Sequence, residues 1–168
     1  MTHAIRFLYA LPFSFALCFS PSALALDAVT LQLKWTHAFQ FAGYYAAQEQ
    51  GYYRDAGLAV TIREALPAVD PVHEVVEGKA HYGVGTSSLL LERKAGKPVV
   101  VLAVIFQHSP YVIIARQTQN IHDIAGKRIM LEPQANELLA YLKNEGIPSD
   151  RIQKIEHSYD TQDLISGN

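Results

Sequence analysis

Residues 29–64, VTLQLKWTHAFQFAGYYAAQEQGYYRDAGLAVTIRE, decide the fold class. The first seven, VTLQLKW, alternate apolar and polar side chains as a half-buried strand does. A helical stretch follows from about Phe41 to Gln50, and Gly51 ends it as a glycine able to take the left-handed conformation. LAVTIRE (58–64) then returns as a second strand. Aromatics crowd the middle: seven of the 21 residues from Leu33 to Tyr53 are Phe, Tyr or Trp. Such density serves either a packed core or a surface that stacks on a flat ligand.

Working outward, the alternation continues. Asp70-Pro71 is an N-cap followed by proline at the first helical position, and Gly78 closes that helix after about Glu77. HYGVGT (81–86) is a short strand ending in small residues, and Thr86 or Ser87 caps a helix that runs through Lys94 to a stop at Gly96. PVVVLAVIF (98–106) is an unbroken apolar run, the pattern of a strand buried on both faces. After the break QHSP, YVIIA (111–115) is another strand. IHDIAGKRIMLEP (121–133) reads as a short helix and a strand. NELLAYLKNEG (136–146) is an amphipathic helix with Leu138, Leu139 and Leu142 on one side. IQKIEHS (152–158) is the last strand, and TQDLISG (161–167) begins a helix. Strands and helices alternate throughout, so the class is α/β with mainly parallel sheets.

The N-terminal residues 1–25 are set apart from this pattern. Arg6 precedes an apolar run from Phe7 to Phe19, and Ala23-Leu24-Ala25 fits the small-x-small rule for cleavage. They read as a cleavable secretory signal peptide, which implies a periplasmic product. Cys18 is the one cysteine in the chain, and Leu17 before it departs from the small residue a lipidation site needs. Cleavage after Ala25 leaves no thiol for disulfides, thiolate metal sites or thiol catalysis.

Composition narrows the function classes. Hydrophobic residues make up 49% of the 168, enough for a packed core, and the net charge of −2 with no basic block argues against nucleic acid as a partner. There is no phosphate-binding glycine loop with its lysine, no pair of histidines at metal-ligand spacing on a helix, and no nucleophile elbow. No metal, cofactor or catalytic residue is therefore expected. Polar and aromatic residues gather instead where strands end, the place at which open α/β sheets bind ligands. Trp35 follows the first strand, Glu64 the second, Thr86, Ser87 and Ser88 the third, and Gln107 and Ser109 the fourth. Trp35 and Tyr44 offer π faces for a flat heterocycle, and the three consecutive hydroxyls exceed what a helix cap needs.

Three separated blocks carry a resemblance: LQLKWTHAFQFAGYYAAQEQGYYRDAGL, then DPVHEVVEGKAHYGVGTSSLLLERKAGKPVVVLAVIFQHSPYVIIAR, then AGKRIMLEP. They look like the NMT1/THI5-like (SsuA/THI5-like) periplasmic substrate-binding proteins, relatives of binding proteins for thiamine pyrimidine precursors and alkanesulfonates. The resemblance implies a type II periplasmic-binding-protein fold, with ligand closed between two hinged α/β lobes. Lobe one would occupy residues 26–110. Residues 111–168 would form an incomplete, truncated lobe two. It implies a periplasmic solute-binding protein for a small heteroaromatic solute, a thiamine pyrimidine precursor first, serving an ABC transporter permease. Trp35 and Tyr44 would stack on the ring. Gln40, Thr86, Ser87, Ser88, Gln107 and Ser109 would donate or accept hydrogen bonds, and Glu64 or Glu132 would meet an amine. An alternative is a ligand-sensing input domain fused to a membrane signalling module, a cyclase or kinase. Enzymes that make the thiamine pyrimidine also resemble this group, but they carry a cofactor-binding lysine and a consumed histidine where this chain has Gly85 and Leu89. Without the lysine there is no Schiff base to pyridoxal phosphate.

Overall fold

The computed structural model describes residues 25–66 and 69–167. The signal-peptide reading of residues 1–25 falls almost wholly outside the described residues. Two parallel sheets organise what is described. In the first, β1 (Asp27–Gln32) lies between β2 (Leu58–Arg63) and β3 (Tyr82–Gly83). β1 and β2 run in parallel register from Asp27 opposite Leu58 to Gln32 opposite Arg63, and β3 pairs through Leu31–Tyr82 and Gln32–Gly83. The second sheet pairs β4 (Arg128–Leu131) with β5 (Gln153–Glu156), also in parallel.

Local chemistry explains the helices. α1 (Ala42–Glu49) ends at Gly51, whose φ of 80° is left-handed. A Cβ there would meet the Arg54 guanidinium at 2.8 Å, a flexible side-chain end that can swing aside, so it is the conformation that calls for glycine. α2 (Tyr52–Asp55) follows and leads into β2. α3 (Pro71–Val76) begins as its sequence requires: Asp70 Oδ1 accepts from Val72 N–H at 3.0 Å, with Pro71 at the first helical position and both Pro71 and Val72 buried. α3 lies so close to β3 that a Cβ on Gly83 would come within 3.1 Å of Val75 Cγ2 and 3.2 Å of the Pro71 carbonyl oxygen. α4 (Leu89–Lys94), α5 (Asn136–Asn144) and α6 (Thr161–Ser166) complete the set.

Each sheet has its own apolar centre. Leu33, Phe41, Ala65, Val72 and Ala80 are buried around the first. Around the second, Leu142 of α5 packs with Ile124, Ile147 and Ile152, and Ile113, Ile129 and Leu139 close over them. Asn120 and Asp123 form a reciprocal capping box at the turn entering this second unit. The amides of Gln119 and Asn120 hold the Asp123 carboxyl below its usual range.

One expectation is overturned. Residues 98–106 and 111–115 form no strand, although their composition reads as two. Leu102 is 73% exposed and Val112 74%, and Val104, Ile105 and Ile114 are exposed with them. A strand exists through its partners: its N–H and C=O groups need a neighbouring ladder, and an all-apolar one needs cover on both faces. Among the described residues nothing pairs with this run. Its recorded bonds are local, such as Gln107 Nε2 to the Val104 carbonyl at 2.8 Å.

Backbone with few ladder bonds opens at low free-energy cost. Brief chymotrypsin treatment is therefore expected to cut first at Leu102, Phe106 or Tyr111, before any site in β1 or β2. Mass spectrometry of the early fragments checks this, and first cuts at Tyr52 or Tyr53 would contradict it.

Candidate functional site

All strands within each sheet are parallel, so each sheet has one carboxyl edge, and the two carboxyl edges face each other. The first edge is built around Gln32. Its side chain is fully buried, and Nε2 donates to the carbonyls of Glu64 (3.0 Å), Leu33 (3.1 Å) and Arg63 (3.3 Å). Arg63 Nε donates back to Gln32 Oε1, and its Nη2 reaches Glu74 Oε2 of α3 at 2.7 Å. Backbone pairing carries on past the strands, with Leu33 N–H to the Arg63 carbonyl at 2.8 Å and Ala65 N–H to the Trp35 carbonyl at 3.0 Å. Trp35 and Glu64 thus leave the sheet from a fixed edge.

Glu64 organises the loop after β1. Its Oε2 accepts from His37 N–H at 3.2 Å and lies 3.8 Å from His37 Nε2. The His37 ring is hydrogen-bonded in turn to the Tyr45 hydroxyl. Burial, then the Glu64 charge, pushes the Tyr45 phenol up. Tyr44, one residue earlier, takes a different direction. It is half-buried in α1 with its ring 6.5 Å from that of Phe41, and burial raises its phenol. Gln40 is exposed in the short turn before α1.

The hydroxyl triplet after β3 splits into three roles. Thr86 Oγ1 accepts from Ser88 N–H at 3.3 Å, shaping the turn into α4. Ser87 Oγ donates to Glu137 Oε2 at 2.6 Å. Ser88 is buried, donating to the Gln134 carbonyl at 2.8 Å and accepting from Asn136 Nδ2 at 3.0 Å. Gln134 Nε2 also reaches Asp70 Oδ1 at 3.4 Å. The start of α4 is therefore latched to the start of α5, 46 to 50 residues away.

Glu137 is the centre of this latch. Hydrogen bonding by the Ser109 and Ser87 hydroxyls draws its carboxyl below the usual range, with desolvation opposing and the Lys34 charge assisting. Tyr111 stands nearby, its phenol raised by burial and by the charges of Glu132 and Glu137. Glu132 is exposed just past β4, and it also raises the phenol of Tyr159, where burial is the larger cause. Gln107 is exposed and turns back on its own loop.

Tyr159 meets Trp35 across the gap, ring centroids 4.7 Å apart and tilted by 44°. His157 lies 4.5 Å from Tyr159 on the same loop. Gln134 and Tyr159 are the non-glycine residues with positive φ among the described residues, at 67° and 61°. One sits just past β4 and the other just past β5. Left-handed backbone at a bulky residue is costly and gathers at functional sites. Trp35, Glu64, Ser87, Ser109 and Glu132 of the sequence-derived set thus border the two facing edges. Gln32, Lys34, Glu137, Tyr111 and Tyr159 join them without having been anticipated. The one available signal was position: Glu137 and Tyr159 both lie within a few residues of a strand's carboxyl end.

Parallel sheets that meet at their carboxyl edges put this chain in the α/β class, in which ligands are taken beyond the strand ends. The family follows from the sequence: the profile of the NMT1/THI5 like family matches residues 38–168, and the chain belongs to that family, whose fold is that of periplasmic binding proteins. It is similar to the riboflavin-binding protein RibY of Chloroflexus aurantiacus, 28% identical over 111 residues, which cover 62% of this chain and 31% of that protein. The chain spans about a third of the length of the curated relative it matches.

The latch has a pH signature. A carboxylate whose folded pKa is lowered stabilises the fold fully above its ordinary value, 4.5 for Glu137, and loses that contribution as pH falls through the folded value. Asp123 acts in the same sense, so the comparison must isolate Glu137. Thermal unfolding of wild type and Glu137→Gln is expected to show a higher wild-type Tm at pH 7 and a shrinking gap below pH 4.5. A gap independent of pH would show that the carboxylate charge is not what the latch uses.

Proposed function

We propose that this protein is a solute-binding protein that holds a small heteroaromatic solute between the facing carboxyl edges of its two sheets. The observation that carries the reading is Trp35, a large and partly exposed π face. It projects from a rigid sheet edge toward an aromatic and carboxylate-lined opposite edge. Family membership supports a solute-binding role, and the name of the Chloroflexus relative supports a flat nitrogen heterocycle as the class of solute.

In this reading Trp35 stacks on the ring. Ser87 and Ser109 supply hydroxyls near one rim, and Glu132 or Glu64 accepts from an amino or imide edge. Thr86 and Ser88 shape and fasten the turn that presents Ser87, while Gln40, Tyr44 and Gln107 flank the site. The two sheets with their helices act as lobes, residues 26–110 and 111–168, with the hinge at the loop around Gln107–Tyr111. Export to the periplasm and delivery to an ABC transporter permease complete the proposal, with binding and no chemical conversion of the solute. A thiamine pyrimidine precursor and riboflavin lead the solutes to test. Both present a planar nitrogen heterocycle, and stacking alone accepts either.

Trp35 is the single tryptophan of the chain, so its fluorescence reports the site directly. Titration with riboflavin and with an aminopyrimidine is expected to give saturable quenching by at least one. The same ring should raise the Tm, since ligand at about 100 times Kd adds roughly 2.7 kcal/mol. Trp35→Ala is expected to weaken binding about tenfold or more, in line with roughly 1.4 kcal/mol of lost contact. Neither quenching nor stabilisation by any ring at millimolar concentration would remove the proposal.

A further inference from the structure

We infer that Tyr159 is the second wall of an aromatic clamp, and that in the unliganded protein it occupies the place a ligand ring takes against Trp35. The inference rests on the solute-binding reading and adds a residue that the strand-end reading did not supply. Four observations carry it.

The first is contact. The Trp35 and Tyr159 rings are 4.7 Å apart, at the short end of the roughly 4.5–7 Å range of aromatic pairs. A third ring cannot lie between them at that spacing, so a ligand that stacks on this face of Trp35 must move Tyr159. The second is exposure. Trp35 is 36% exposed and Tyr159 48%, so this pair is reachable from solvent and is not a core contact. The third is strain. Tyr159 has φ of 61°, and its N–H is tied to His157 Nδ1 at 2.9 Å, which stabilises the turn in which the strained residue sits. A change of φ at this residue is where the ring could be lifted off Trp35 to admit a ligand and then close on the ligand's far face. The fourth is what surrounds the ring. Glu132 and Glu156 lie close enough to raise the Tyr159 phenol, after burial. Negative charge on that side would favour ligands carrying amino or imide N–H groups on the ring edge.

A clamp of this kind makes Tyr159 a specificity residue. It rewards a planar ring, which replaces one π face by another. It penalises an aliphatic or purely anionic solute of the same size, which displaces Tyr159 without restoring the stacking. Two measurements on the full chain test this, with lumichrome, the bare flavin ring, as probe. Without ligand, Tyr159→Ala is expected to shift Trp35 emission to the red and raise its quenching by acrylamide, whereas Tyr159→Phe keeps both near wild type. With lumichrome, Tyr159→Ala is expected to weaken binding about three- to tenfold and Tyr159→Phe by less than twofold. If lumichrome binds wild type and Tyr159→Ala equally well, the clamp is wrong and the solute-binding reading stands. If neither lumichrome nor an aminopyrimidine binds wild type, that reading falls and the clamp with it. Unchanged Trp35 emission in Tyr159→Ala would overturn the ring contact itself.

Discussion

The buried amide of Gln32 is the constraint on which the site depends. At the end of β1, three backbone carbonyls converge where the regular ladder is about to run out. One side-chain NH2 group serves them, and Arg63 returns a bond to its oxygen while binding Glu74. An apolar residue of similar size would take this donor from the Leu33 and Glu64 carbonyls, a cost of about 1–3 kcal/mol for each group left unsatisfied, while the Arg63 carbonyl keeps the Leu33 N–H. The result is a sheet edge stiff enough for Trp35 and Glu64 to be presented in fixed positions. Side chains that leave rigid elements hold a binding geometry better than those on free loops.

Against this edge the second sheet brings a complementary set. Its own carboxyl ends supply Glu132 and Tyr159, and the start of α5 supplies Glu137 and Asn136. The two units meet through polar bonds to hydroxyls at Ser87 and Ser88 and through one aromatic pair. Few of these contacts involve large buried apolar surface. The Ser87–Glu137 bond is open to water while the Ser88 bonds are partly buried, so the junction rests on a few polar bonds and not on an apolar core.

Much of this architecture was legible in the sequence because local chemistry dictates it. Gly51, Asp70-Pro71 and Gly96 punctuate helices through φ, capping and the missing proline N–H, and those signals need no partner. The parallel pairing of β1 with β2 followed from strand, helix and strand in succession. Residues 98–106 show where this stops: apolar composition marks a segment that can be a strand, while pairing makes it one. Gln32 shows a subtler limit. Simple alternation in VTLQLKW places it on the polar face, yet at the strand end its side chain folds inward to satisfy the backbone. Nor could the sequence reveal the positive φ of Tyr159 and Gln134, which occurs without glycine, or the bond from Ser87 to Glu137 across 50 residues.

The central claim is that a flat ring stacks on Trp35 between the two carboxyl edges. A 1H–15N spectrum of this protein holds one indole cross-peak, because Trp35 is the sole tryptophan. On titration with riboflavin or an aminopyrimidine, that peak should undergo a saturable ring-current shift. Amides of Leu131, Glu132, Gln134 and Ala135 and of residues 156–160 should shift along the same binding curve. Binding that leaves the indole peak in place while moving amides elsewhere would contradict it.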